Sequence, residues 1–144
     1  MQSGTSILID HYRNPRCQGV VDGADLRGEV HNRKCGDRLF LTARLSGTRL
    51  EDIRFEGQGC MYCLASASVM CRFAAGRNRD ELLKDVRQFR AWLQGADGAA
   101  DEPENGITEE MRALGEVRAY PMRIGCADLA WKGLETMLGT KSAR

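Results

Sequence analysis

Several features that mark familiar kinds of site are scarce or missing in this sequence. The 144 residues include only two histidines, His11 and His31, and these do not supply the H-x₃-H half of a zinc finger. There is one CxxC pair and no second, so a zinc site built from two such pairs is excluded. The net charge is only +1, with both signs spread along the chain, so the composition gives no support for nucleic-acid binding.

Long apolar segments are also missing, and their absence bears on the cellular location that we expect for the chain. No apolar run approaches the roughly 20 residues that a transmembrane helix needs, so we expect no membrane span. The first ten residues do not place a basic stretch before an apolar one, so we expect no secretory signal and a cytoplasmic location. Thiols stay reduced in the cytoplasm, and the six cysteines therefore favour metal or sulfur chemistry over disulfides.

The apolar residues that are present suit a small sheet in the first half of the chain. An apolar content of 42% in 144 residues is enough for a core, and we expect residues 1–144 to form a single domain. Alternating patterns predict strands over 38–45 and 50–55, and a weaker pattern predicts one over 27–32. Short connections between them indicate an antiparallel sheet of about three strands.

Helical patterns lie mainly after these strands. The expected helices cover 4–13, 61–75, 80–94, 108–114 and 124–138. The segment 95–106 is rich in glycine and acidic residues, and we expect a mobile loop there. Strands first and most helices afterwards predict an α+β fold in which the helices pack on one face of a small antiparallel sheet.

Three cysteines and one aspartate stand where predicted elements begin or end. Cys35 and Asp37 flank Gly36 just before the first clear strand, and glycine there allows both side chains to turn toward one point. Cys60 and Cys126 lie near helix starts, where the helix dipole favours a thiolate. Three thiolates and one carboxylate suit a tetrahedral zinc ion, and thiolates equally hold iron–sulfur clusters.

Another interpretation remains open for each cysteine, because free cysteines are often small buried apolar residues. The long intervals between the three form no local zinc signature. Cys60 and Cys63 form the CxxC pair, which is typical of half a zinc site or of a redox dithiol, and Cys63 lies nearly one helical turn past Cys60. Cys17 and Cys71 are interpreted as ordinary packing residues.

Five ordered motifs carry a resemblance to a known family. They are His11-Tyr12-Arg13-Asn14-Pro15-Arg16, Cys35-Gly36-Asp37-Arg38, Phe55-Glu56-Gly57-Gln58-Gly59-Cys60, Ala65-Ser66-Ala67-Ser68 and Cys126-Ala127-Asp128-Leu129-Ala130-Trp131. From about residue 6 to 138 the chain resembles the IscU/NifU N-terminal family of iron–sulfur cluster assembly proteins. The resemblance implies an IscU/SufE-like α+β fold and a metal site made of Cys35, Asp37, Cys60 and Cys126.

Within this family the chain looks more like the SufU type than the IscU scaffold type. Gly125 stands where scaffold members have a histidine. The stretch Ala119-Tyr120-Pro121-Met122-Arg123 replaces the Leu-Pro-Pro-Val-Lys segment that an Hsp70-type chaperone reads, so we expect no chaperone motif. Arg123 stands where SufU-type members have an arginine. Cys63 is a departure, since the family usually has a small residue other than cysteine there.

The SufU-type resemblance implies a zinc-dependent sulfurtransferase-like persulfide acceptor rather than an enzyme with its own small-molecule substrate. Cys35 would leave the metal when a cysteine desulfurase docks, and a histidine of that partner could take its place on the metal. Cys35 would then attack the persulfide of the partner. Arg123 would steady the freed thiolate or guide the partner, although a plain solvated arginine is the alternative. Two other functions remain open: a scaffold that holds a labile [2Fe-2S] cluster on the same four ligands, and a domain with structural zinc that binds a partner protein.

Overall fold

One helix, three strands and then four further helices make up the part of the chain that the structure describes. The computed structural model describes residues 3–95, 102–103 and 106–139. The elements are α1 (Gly4–Arg13), β1 (Leu26–Asn32), β2 (Asp37–Ser46), β3 (Arg49–Gln58), α2 (Met61–Ala74), α3 (Arg79–Leu93), α4 (Glu109–Leu114), a 3₁₀ helix (Gly115–Ala119) and α5 (Pro121–Gly139).

The three strands form an antiparallel sheet in the order β1-β2-β3. On β2 the alternating Leu39, Leu41 and Ala43 are fully buried, as their pattern predicts. Thr42, which alternates with them, is buried as well, because the segment before β1 covers that side and the Val21 N–H donates to Thr42 Oγ1 at 2.8 Å. The predicted sheet of about three antiparallel strands is confirmed.

The helices cover the apolar face of the sheet. Helix α5 packs on β1 and β2, and α2 packs on β3 and on α5. A Cβ atom at Gly133 of α5 would lie 2.8 Å from Leu41 Cδ1, so glycine is needed for α5 to approach the sheet this closely. Behind these helices the ring centroids of Phe89 and Trp131 are 4.5 Å apart. The predicted α+β fold is confirmed, with its core between the helices and one sheet face.

Element boundaries differ from the prediction at two places. Strand β3 continues to Gln58, and α5 begins at Pro121 rather than at residue 124. Proline is well tolerated in the first turn of a helix, where its missing N–H has no partner to lose. Most of the predicted mobile loop 95–106 lies outside the described residues. Among the helices of the described part, none is both long enough and apolar enough to cross a membrane.

Candidate metal centre

The turn between β1 and β2 presents Cys35 to solvent. Asn32 pairs with Asp37 at the end of the ladder, and the Cys35 N–H donates to the Asn32 carbonyl at 3.2 Å. Gly36 has a φ of +74°, in the region that favours glycine. Cys35 is therefore an exposed thiol on a hairpin tip, and the residue after it lets the chain turn back into β2.

Asp37 is the first residue of β2 and is almost completely buried, with 1% of its surface exposed. Its Oδ1 accepts a hydrogen bond from the Cys60 N–H at 3.1 Å. Its Oδ2 is buried and has no hydrogen-bond partner among the described residues. A buried carboxylate oxygen without a partner is costly, and a bound cation would offset that cost.

The junction between β3 and α2 lies against this carboxylate. A Cβ atom at Gly59 would be 2.6 Å from Asp37 Oδ1 and 3.0 Å from Cys63 Sγ. No larger residue fits there without displacing one of these groups. Gly59 therefore lets the start of α2, with Cys60 as its N-cap residue, close over Asp37.

Helix α5 brings the third cysteine from the far end of the chain. Cys126 is fully buried, and the ligand atoms of Cys35, Asp37 and Cys126 all lie within 4.8 Å of one another. Cys60 borders this group of three without being part of it. Burial raises the pKa of Cys126, and hydrogen bonds with Asp37, Cys35 and Cys60 raise it further. The four residues expected as ligands thus share one neighbourhood.

Arg123 lies one turn before Cys126 on α5 and faces the same sulfurs. A hydrogen bond to Cys126 raises the pKa of Arg123, and the charges of Cys60, Cys126 and Cys35 act in the same direction. The positive charge of the guanidinium therefore lies beside the sulfurs of these cysteines. This placement matches the interpretation of Arg123 as a cation beside the thiols.

Asn32 is a residue of this site that the sequence did not reveal. Its Nδ2 donates to Cys126 Sγ at 3.7 Å across 94 positions of sequence. A Cβ atom at Gly125 would lie 3.2 Å from the same Nδ2, so a side chain at position 125 would press on Asn32. Only the strand register, which places Asn32 opposite Asp37, could have indicated that Asn32 belongs to this site.

Cys63 lies beside the group although the sequence left its role open. It is fully buried in the first turn of α2. Burial is the main cause of its raised pKa, and negative charge on Asp37, Cys60 and Cys35 adds to it. A fifth ligand-type side chain therefore adjoins the four that were expected.

A cleft leads from solvent to Cys35. Its volume is about 520 Å³ and it is lined by Asn32, Arg33, Lys34, Cys35, Pro121, Met122 and Gly125. Two large apolar side chains stand exposed nearby, Tyr120 at 56% and Met122 at 87%. The Cys35 thiol is thus approachable along a rim that combines basic and apolar side chains.

The donor set fits a tetrahedral metal ion. Zinc binds thiolate sulfur at about 2.3 Å, so two ligand atoms on one zinc ion are roughly 4 Å apart. The 4.8 Å limit within the group of three is close to that separation. The unpartnered oxygen of Asp37 supplies an acceptor for a cation, and small adjustments of the adjacent Cys60 would complete a four-ligand site.

The amino-acid sequence is similar to a protein-family model and to several known proteins. A family model described as the NifU-like N terminal domain matches residues 4–127. The zinc-dependent sulfurtransferase SufU of Bacillus subtilis (strain 168) is 38% identical over 129 residues, covering 90% of this chain and 84% of that protein. The iron–sulfur cluster assembly scaffold protein IscU of Streptococcus pyogenes serotype M1 is 33% identical over 130 residues, covering 90% of this chain and 79% of the relative.

Solved structures show the same architecture. A crystal structure from Fervidobacterium islandicum AW-1, described as a cluster assembly scaffold protein for the SUF system, superposes with a TM-score of 0.83 at 29% identity. The superposition covers 92% of this chain and 93% of that one. A NifU-like N-terminal protein from Brucella abortus, at 22% identity and a TM-score of 0.80, shares the fold.

Proposed function

This chain belongs to the family of NifU-like N-terminal domains, and from that premise we propose that it is a zinc-dependent acceptor of persulfide sulfur in iron–sulfur cluster assembly. One observation carries the proposal: an exposed cysteine on a hairpin tip lies within 4.8 Å of a buried cysteine and a buried aspartate. The name of the Bacillus subtilis relative, a zinc-dependent sulfurtransferase, supports the same function.

The four residues divide into two groups by exposure. Cys126 and Asp37 are buried, and Cys60 at the start of α2 is partly buried, so these three would retain zinc. Cys35 is exposed in the turn between β1 and β2, so it is the ligand that can come away. Zinc, when bound, keeps thiols ionised near neutral pH and permits exchange of ligands because it has no strong geometric preference.

The transfer step needs no oxidant or reductant. The Cys35 thiolate attacks the terminal sulfur of a persulfide on a cysteine desulfurase. A new S–S bond forms on Cys35 while the S–S bond of the partner breaks, and its electron pair leaves on the partner's cysteine as a thiolate. The terminal sulfur keeps its proton. Arg123 stabilises the attacking thiolate through its charge, and a released thiolate is the reactive form.

The rim of the cleft suits a protein partner rather than a small substrate. Tyr120 and Met122 are exposed apolar side chains, and Arg33 and Lys34 add positive charge beside Cys35. Large exposed apolar residues rimmed by charge are typical of protein interaction sites. We propose that a desulfurase docks here, in the cytosol, where the six free cysteines stay reduced.

Replacement of Cys35 by serine tests this function directly. The wild-type protein should gain one sulfur on Cys35 when it is incubated with a desulfurase and free cysteine, as detected by mass spectrometry of the intact chain. Cys35→Ser should fall to background, because the hydroxyl does not form a persulfide, and it should still bind zinc. Cys17→Ser is the matched control, since that cysteine lies outside the metal centre. Normal sulfur uptake by Cys35→Ser would refute the assignment.

A cluster scaffold is the second candidate, and the oxygen ligand favours it. One carboxylate among sulfur ligands would hold a [2Fe-2S] cluster less firmly than a fourth thiolate, which suits a cluster that is handed on. The Streptococcus relative carries the scaffold name. Anaerobic reconstitution with iron and sulfide separates the two functions: a stable brown chromophore supports the scaffold, whereas bound zinc with no chromophore supports sulfur transfer.

A further inference from the structure

A fifth candidate ligand adjoins the metal centre, and the proposed sulfur transfer does not use it. Cys63 is fully buried in the first turn of α2, three residues after Cys60. Cys60 is the N-cap residue of α2 and Cys63 lies in its first turn, so both cysteines stand at the same end of this helix. Cys63 is a helix residue among apolar neighbours, but it is at the edge of the core that meets the ligands.

The Cys63 sulfur lies near the Asp37 carboxylate, because both are close to the position that a Cβ atom at Gly59 would occupy. The Cβ position at Gly59 is 3.0 Å from Cys63 Sγ and 2.6 Å from Asp37 Oδ1. The two atoms therefore lie on the same side of the β3–α2 junction.

A second observation indicates that this corner of the site holds a ligand position. Asp37 Oδ2 is buried and has no partner among the described residues, and the side chain is only 1% exposed. A cation beside that oxygen would also have the Cys63 sulfur in its vicinity. Cys35, by contrast, is exposed to solvent.

We infer that Cys63 is a reserve metal ligand, which takes the coordination position that Cys35 vacates when it accepts sulfur. The inference rests on the proposed function. As the Cys35 sulfur leaves it keeps its electron pair and becomes a free thiolate. The Cys63 thiol loses its proton to water. Its sulfur then donates an electron pair to the metal ion at the coordination position that Cys35 vacated. Three sulfur ligands and Asp37 would thus hold the ion while Cys35 carries the sulfur.

Substitution of Cys35 by alanine reveals whether the reserve ligand binds. The cobalt-loaded protein reports the number of thiolate ligands through the intensity of its sulfur-to-metal charge-transfer absorption. Cys35→Ala should retain the wild-type intensity, because Cys63 replaces the missing sulfur. The double variant Cys35→Ala/Cys63→Ala should lose about a third of that intensity. Its zinc affinity in a chelator competition should fall at least about a hundredfold below that of Cys35→Ala, since the loss of even an outer-shell partner costs 10–100-fold.

Cys71 provides the matched control. It is another fully buried cysteine on α2, so Cys35→Ala/Cys71→Ala creates a similar cavity without touching the metal centre. This variant should match Cys35→Ala in both measurements. The inference is overturned if Cys35→Ala alone shows one thiolate fewer than the wild type, a result that does not depend on the folding of any double variant. None of these measurements involves sulfur transfer, so failure of the wild type to accept sulfur would refute the proposed function separately.

Discussion

The six cysteines differ chiefly in what surrounds them. Cys35 is exposed, Cys17 and Cys60 are partly buried, and Cys63, Cys71 and Cys126 are buried. The neighbouring glycines indicated part of this difference. Gly36 marks a turn, and Gly59 marks a close approach of the chain to Asp37. Burial of a thiol depends on residues far away in sequence, however. The CxxC spacing placed Cys63 close to Cys60, but its burial beside Asp37 comes from the way α2 packs.

Cys17 was interpreted from sequence as an ordinary packing residue, and it does pack against the core, but its surroundings also lower the pKa of its thiol. A hydrogen bond with Cys71 lowers its pKa from 9.0 to about 7, with a further lowering from the charge of Arg54 and a partial opposition from burial. Its backbone φ of 63° is the only positive value among the described residues other than glycine. The thiol is partly exposed and distant from the metal centre in the sequence.

Alkylation of Cys17 should therefore reach its half-maximal rate near pH 7, about two pH units below an unperturbed thiol. The thiolate is the reacting species, so the rate rises with pH through the pKa and levels off above it. Iodoacetamide labelling followed by peptide mass spectrometry measures the rate at each pH. Cys71→Ala is the control: it removes the hydrogen bond, and the midpoint should move to higher pH. A midpoint near pH 9 in the wild type would contradict the placement.

At the scale of elements, one serine connects the two helices that carry Cys60 and Cys126. Ser66 Oγ donates to the Ala127 carbonyl at 2.6 Å and accepts from Trp131 Nε1 at 2.8 Å. Both bonds are buried between α2 and α5. The small residues of the Ala65–Ser68 motif let the two helices lie close, and Ser66 fixes how they are aligned.

Ser66→Ala should lower the free energy of unfolding by about 2 kcal/mol, because it leaves the buried indole N–H of Trp131 unpaired and removes one hydrogen bond to the Ala127 carbonyl. Urea denaturation followed by circular dichroism measures the change. Zinc affinity should fall as well, since the start of α5 would lose its alignment with α2. Thr136→Ala removes an exposed hydroxyl from the same helix α5 and should stay within about 0.5 kcal/mol of the wild type. Equal stability of the two variants would show that Ser66 does not couple the helices.

The sequence predicted the elements better than it predicted how they meet. Strand β2 and helix α3 follow from clear periodicity, because each has one face of buried apolar residues. The predicted start of α5 at residue 124 was three residues late, because the helix already begins at Pro121. The contact between Asn32 and Cys126 joins residues 94 positions apart, and no local pattern encodes such a contact.

For the whole molecule, the relation between core and metal centre decides whether the ion is needed for folding. The core includes buried residues of all five helices and of the three strands, among them Leu8, Leu41, Met70, Phe89 and Trp131. The metal centre lies where the hairpin tip, the β3–α2 junction and the start of α5 come together. These are the ends of elements, so the ion is not required to assemble the core.

Removal of zinc should therefore weaken the protein without unfolding it, in contrast to a domain with purely structural zinc. An ion at a hundredfold excess over its Kd stabilises the folded state by about 3 kcal/mol through mass action. For a chain of this size that corresponds to a Tm lower by on the order of 10 °C after chelation. Thermal scans by circular dichroism, with zinc and with a chelator, measure the difference. The chelated protein should keep its far-ultraviolet spectrum at room temperature, because the core does not depend on the ion. Loss of that spectrum on chelation would instead support structural zinc and would remove the basis for a ligand that comes away during sulfur transfer.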